Sequence, residues 1–91
     1  MTIKETLFGR CLGSGLFESQ AEPILQMTYD EGDNELKSRW NDNADDYPDI
    51  LINILWVAVC RNAVIWIDKN YPKHSLFYSF YSPFPLQKFQ K

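Results

Sequence analysis

The chain is short of the residues from which chemistry is most easily read. Its only histidine is His74 and its only cysteines are Cys11 and Cys60. A thiol nucleophile would therefore have to recruit His74 as base, and no motif ties that residue to either cysteine. Without CxxC spacing there is no zinc-ribbon or redox pair, and reduced thiols without a disulfide framework are expected. Glycines number four. Gly9, Gly13 and Gly15 form no GxxxxGK[ST] pattern and follow no strand signal, which excludes a phosphate-cradling loop. Positive charge is sparse too. Nine Lys and Arg stand against twelve Asp and Glu, for a net charge of −3 and an isoelectric point near 4.9. Direct nucleic-acid binding is disfavoured on that footing, although lysines alternate with aromatics near the C-terminal end.

What the chain has in quantity is apolar and aromatic surface. Hydrophobic residues make up 45% and aromatics 15% of 91 residues, enough to bury a core and too much for disorder. The length suits one domain, 1–91, with a helical core over 1–70 and an aromatic tail over 71–91. A core this small leaves some aromatic surface uncovered unless a second subunit or a partner meets it, so a homodimer is expected.

The rest of the chain is organised around Asp49 to Lys69. Between Ile50 and Ile67 the only polar residues are Asn53, Arg61 and Asn62, so cover on nearly every side is expected. Asp46 as N-cap, Pro48 in the first turn and Asp49 near the amide pole predict a helix start. Lys69 and the run Asn70-Tyr71-Pro72 predict its end, with Asn70 in a left-handed cap. At about 100° per residue, Asp49, Asn53, Arg61 and Asp68 share one wet sector. The spacing thus predicts one long helix over about 48–69. The many β-branched residues leave a hairpin open, pairing Ile52–Val59 with Ala63–Asp68 about Cys60-Arg61-Asn62, a turn without glycine. A membrane span over residues 50–67 is the other alternative. It falls short of the usual ~20 apolar residues and would carry a central Arg costing about 2.5–3.5 kcal/mol.

Thr2-Ile3-Lys4-Glu5 has the form of a capping box and opens a first helix ending near Gly13. Ser19-Gln20-Ala21-Glu22 suggests a second box, with Pro23 in the first turn of a helix that stops over Asp30-Glu31-Gly32-Asp33. A third helix is expected from Asn34 to about Asp42, with Leu36 and Trp40 on one side. Together these predict a mostly α fold, a small bundle whose long central helix packs through Leu51, Leu55, Trp56, Val59 and Trp66 on Leu7, Phe8, Leu25, Leu36 and Trp40. The tail, with Pro72, Pro83 and Pro85, is expected to be extended and to pack on that bundle or on a partner.

Charge is segregated. Asp30 to Asp49 holds eight acids against Lys37 and Arg39, whereas Lys69 to Lys91 holds four lysines and no acid. Mutually repelling carboxylates are retained more readily when something positive meets them, so Glu31, Asp33, Glu35, Asp42, Asp45 and Asp46 are candidates for contact with a basic protein surface. The aromatic tail offers an alternative partner-binding set in Phe77, Tyr78, Phe80, Tyr81 and Phe84. The acids do not follow the EF-hand pattern, and no metal, cofactor or catalytic residue is expected.

The run W-N-D-N-A-D-D-Y-P-D-I-L-I-N-I-L-W, followed by A-V-I-W-I-D-K-N-Y-P, resembles small accessory proteins encoded by bacteriophages and prophages. The likeness spans Trp40 to Pro72 and carries no functional residue across. It implies a compact cytoplasmic protein, not an enzyme, that binds a host protein. Inhibition of a nuclease or defence complex through carboxylates placed where a nucleic-acid backbone would lie is the expected mode.

Overall fold

A computed structural model of the chain describes residues 1–71. Four α-helices form a small bundle: α1 (Ile3–Gly13), α2 (Glu18–Glu31), α3 (Asn34–Arg39) and α4 (Asp49–Asn70), with a 3-10 turn at Ala44–Asp46 before the last. The first two pack on each other and both pack on α4, so the predicted mostly helical bundle around one long apolar helix is the observed one.

The start of α1 is tied down from two directions. Thr2 Oγ1 accepts from the Glu5 N–H at 3.0 Å and Glu5 Oε1 accepts from the Thr2 N–H at 2.8 Å, completing the expected capping box. These bonds hold the Glu5 carboxyl below its ordinary pKa, mainly through the Thr2 backbone N–H. The next donors reach outward, Ile3 N–H to the Asp42 carbonyl at 2.9 Å and Lys4 N–H to the Trp40 carbonyl at 3.1 Å. The amides that a helix start leaves orphaned therefore anchor the loop after α3, and this brings Ile3 alongside α3.

Helix α2 begins earlier than the sequence suggests. Its N-cap is Phe17, whose N–H donates to Gln20 Oε1 at 2.8 Å, so Ser19 lies inside the helix and Pro23 in its second turn. There the missing N–H leaves the Ser19 carbonyl without a helical partner, at a residue exposed to water. Helix α3, capped by Asp33 accepting from the Leu36 N–H at 2.8 Å, stops at Arg39 instead of Asp42. Trp40 turns inward as its C-cap, and its ring lies 5.7 Å from that of Tyr29.

In α4 the 22 residues from Asp49 to Asn70 form one continuous helix, which removes the hairpin alternative. Its caps differ from expectation. Asp46 belongs to the preceding 3-10 turn and Pro48 is the N-cap. The residue before a proline is driven out of the α region, and Tyr47 is extended at φ −122°, ψ 150°, so the helix cannot reach back to Asp46. At the other end Asn70 stays helical instead of taking a left-handed cap, and its side-chain Nδ2 donates to the Trp66 carbonyl at 2.8 Å.

The core is built from Ile3, Leu7 and Cys11 of α1, from Ala21, Ile24 and Leu25 of α2, and from Ile52, Val59, Ala63 and Ile67 of α4. Leu16 and Trp40 close it off. The α4 residues recur at seven and four, the spacing of one narrow helical face. Of the α4 side chains expected in the core, only Val59 is fully buried; Leu51, Leu55, Trp56 and Trp66 are half-buried at its margins. Among the described residues the cover on α4 is one-sided. The bundle supplies two packing helices, enough to enclose about one side of α4, and 28% of its 18-residue apolar window is buried.

Candidate functional site

Two adjoining features of α4 stand out as surface that the bundle leaves unused. The first is a stripe opposite the buried face, where Ile50 and Val57 are each 67% exposed, Ile54 59% and Ile65 46%. These positions recur at four, seven and fifteen residues; Ile50 and Val57 fall within the wet sector of Asp49, Asn53, Arg61 and Asp68, and Ile54 and Ile65 border it. The sector was legible from its polar members, whereas the isoleucines and valine in and beside it were not, because hydropathy alone assigns them to the interior.

The second is an open groove of about 220 Å³ between α3 and the first half of α4. Ile3, Leu36, Leu51 and Leu55 form its apolar floor, and Asp33, Glu35 and Arg39 stand around its rim. It is smaller than the ~300–1,000 Å³ of small-molecule sites, and its size suits a single large side chain. The floor depends on Gly32, the C-cap of α2. A Cβ there would stand 3.1 Å from Leu36 Cγ and 3.2 Å from its Cβ, and closer still to Cδ2. Only glycine lets Leu36 lie over the α2–α3 junction and still face the groove.

The six candidate carboxylates are dispersed by the fold. Asp33 and Glu35 meet at the groove, although Asp33 also caps α3 and Glu35 pairs with Arg39 at 2.9 Å. Glu31 is turned toward α4, where it pairs with Arg61 and accepts from Asn62 Nδ2 at 3.0 Å. Asp42 accepts from the Tyr47 hydroxyl at 2.6 Å, which pushes that phenol's pKa up. Asp45 and Asp46 are exposed on the 3-10 turn. Four of the six, Glu31, Asp33, Glu35 and Asp42, therefore hold local structure together, and the acidic run contributes two of these carboxylates to one apolar recess. The alternative set, Phe77, Tyr78, Phe80, Tyr81 and Phe84, lies outside the described residues, as does His74.

Beneath the helix a polar contact joins α2 to α4. Asn62 is fully buried and its Nδ2 donates to Thr28 Oγ1 at 2.9 Å. The Thr28 hydroxyl gives its hydrogen to the Ile24 carbonyl, so it can only accept from Asn62, and the Glu31 carboxylate is likewise an acceptor. Both neighbours require the amide nitrogen, which settles the orientation of Asn62 and leaves its Oδ1 without a donor among the described residues.

Neither thiol is poised for chemistry. Burial in the core, reinforced by the nearby Cys60, pushes the Cys11 pKa up to about 12. Cys60 is also raised by burial, with Arg10 acting in the opposite sense. Such environments suppress the thiolate. Among the described residues no group of three His, Cys, Asp or Glu side chains is arranged to hold a metal ion. Comparison with protein-family models, curated proteins and solved structures finds no match to this chain.

Proposed function

We propose that this chain is a small cytoplasmic, non-catalytic protein-binding module whose partner presents an apolar side chain next to basic residues. The observation that carries it is the groove between α3 and α4, where Asp33 and Glu35 border a floor of Ile3, Leu36, Leu51 and Leu55. An apolar anchor supplies affinity and flanking charge supplies registration and steering. The exposed Asp45 and Asp46 add to the same negative field. A protein that otherwise holds nucleic acid is one class that presents such a basic surface. The likeness to phage accessory proteins supports a host nuclease or defence complex as the class. The test is capture of a panel of nucleases and defence complexes by the chain and by a variant with Glu35→Lys, Asp45→Lys and Asp46→Lys. Capture that weakens with both charge reversal and salt is expected, and capture unchanged by the three reversals would remove the acidic surface from the interface.

Membrane association through residues 50–67 is the second reading, favoured by the exposed Ile50, Ile54, Val57 and Ile65 and by the length of α4. It requires α4 to leave α2, giving up the bonds of Asn62 to Thr28 and Glu31 and the pairing of Arg61 with Glu31. Flotation with phospholipid vesicles separates the two readings.

A further inference from the structure

The stripe on α4 runs as far as Ile65, six residues before Tyr71, the C-cap from which residues 72–91 continue, and the groove lies toward the opposite end of the same helix. Residues 1–71 carry twelve acids and six bases, a net of −6, whereas residues 72–91 carry Lys73, Lys88 and Lys91 and no acid, a net of +3. The same twenty residues hold Phe77, Tyr78, Phe80, Tyr81, Phe84 and Phe89. Apolar and basic chemistry is what the stripe and the groove together call for. We propose that residues 72–91 dock back along the exposed side of α4 in the same molecule. Phe89 then enters the groove, with Lys88 and Lys91 meeting Asp33 and Glu35.

Distance permits this with slack. From Tyr71 back to Leu55 the helix runs about 24 Å at 1.5 Å per residue, whereas the chain from Tyr71 to Phe89 can span up to about 59 Å at 3.3 Å per residue. The aromatics from Phe77 to Phe84 pass over Ile65, Val57 and Ile54 on the way. Ile50, Ile54, Val57 and Ile65 are thereby removed from water by the segment tethered closest to them. Tethering confers an effective concentration of order mM, which favours this occupant over a separate molecule of similar chemistry. The inference shares the groove with the proposed partner but does not depend on a partner existing. A partner side chain and Phe89 would be alternative occupants of that groove.

The test is zero-length carbodiimide cross-linking of the full chain alone, as an equal mixture of ¹⁴N and ¹⁵N copies at low micromolar concentration, read by mass spectrometry. The expected result is Lys88 or Lys91 joined to Asp33 or Glu35, with both peptides carrying the same isotope. Replacing Phe84→Ser and Phe89→Ser should cut the yield at least fivefold, because the apolar seat is lost while every lysine remains. Pairs of mixed isotope would overturn the proposal in favour of a second copy. A yield indifferent to the Phe variants would reduce the contact to charge attraction and overturn the seating of Phe89. No link to Asp33 or Glu35, combined with recovery of the chain on phospholipid vesicles, would assign the face to lipid. Because no partner is present, any of these results stands apart from whether nucleases or defence complexes are captured.

Discussion

Asn62 is the most exacting place to perturb this fold, because its contribution is a small difference between opposing effects. Its Nδ2 makes two bonds, to Thr28 Oγ1 and Glu31 Oε1, each contributing about 0.5–1.5 kcal/mol net. Its buried Oδ1 has no donor among the described residues, which costs about 1–3 kcal/mol. The two nearly cancel. Asn62→Leu removes both at once, and its former partners keep other contacts, Thr28 with the Ile24 carbonyl and Glu31 with Arg61. The expected change in urea-melt stability is therefore within about 1 kcal/mol of zero, in keeping with the near-neutral outcome of replacing both members of a buried polar contact by apolar groups.

Asn62→Asp should behave in the opposite way. The new carboxylate would stand next to Glu31 with no hydrogen available from Thr28, a buried charge costing about 3 kcal/mol or more. Its folded pKa would rise above the unfolded value of about 3.9. The penalty is thus absent below about pH 4, grows as pH rises above the unfolded value, and levels off once the folded pKa is passed. Melts from pH 4 to pH 7 measure this directly. A loss above about 3 kcal/mol in Asn62→Leu would show that Oδ1 has a hydrogen-bond donor in solution. Wild-type stability of Asn62→Asp at pH 7 would show that α4 does not pack on α2 in solution, and with it the membrane reading would gain.

Ile67→Ala should cost about 2–5 kcal/mol, because Ile67 is fully buried, and the half-buried, groove-lining Leu55→Ala should cost clearly less in the same denaturant melts; equal losses would move Leu55 into the core. Gly32→Ala should force Leu36 out of place and cost about 1–3 kcal/mol by overpacking, with a matching loss of partner capture; a neutral outcome in thermal melts would mean that the α2–α3 junction yields. The Cys11 pKa near 12 makes stability fall as pH rises above the unfolded thiol value of about 8.5, by up to about 1.4 kcal/mol per pH unit until the folded pKa is reached. Melts between pH 8 and pH 10 test this. Iodoacetamide should label Cys60 before Cys11 in the native protein, and the reverse order would place Cys11 outside the core.

Much of the helical framework is local chemistry and could be read before any packing was known. The Thr2–Glu5 box, the stop after Gly13, the break at Gly32 and the Asp33 cap of α3 each depend on residues within a few positions of one another. The misplaced starts of α2 and α4 have local causes that composition does not rank, one an alternative bond and the other a backbone restriction. Gln20 reaches back to Phe17 instead of Ser19 serving as cap, and the extended Tyr47 before Pro48 keeps Asp46 out of α4.

The candidate site was legible only in halves. The acidic run was evident as charge, and Leu36, Leu51 and Leu55 as apolar residues, but their meeting in one groove depends on Ile3, which the α1 amides bring alongside α3 by bonding to the Trp40 and Asp42 carbonyls. Nothing within a few residues of Ile3 announces that. Glu31 and Asp42 looked equivalent to Asp33 and Glu35 and are not, since Arg61 and Tyr47 engage them from distant or intervening positions.

By itself the sequence determined that the chain is helical, that one long apolar helix dominates it, and that its charge is divided between an acidic middle and a basic end. These are properties of spacing, caps and counting, which act over a few residues. Tertiary structure alone decided how much of α4 is covered. Its polar residues marked a wet sector, but hydropathy does not rank the apolar positions around that sector, so the extent of cover fell to the geometry of two shorter helices. They bury Ile52, Val59, Ala63 and Ile67, enclose Asn62, and leave Ile50, Ile54, Val57 and Ile65 facing outward.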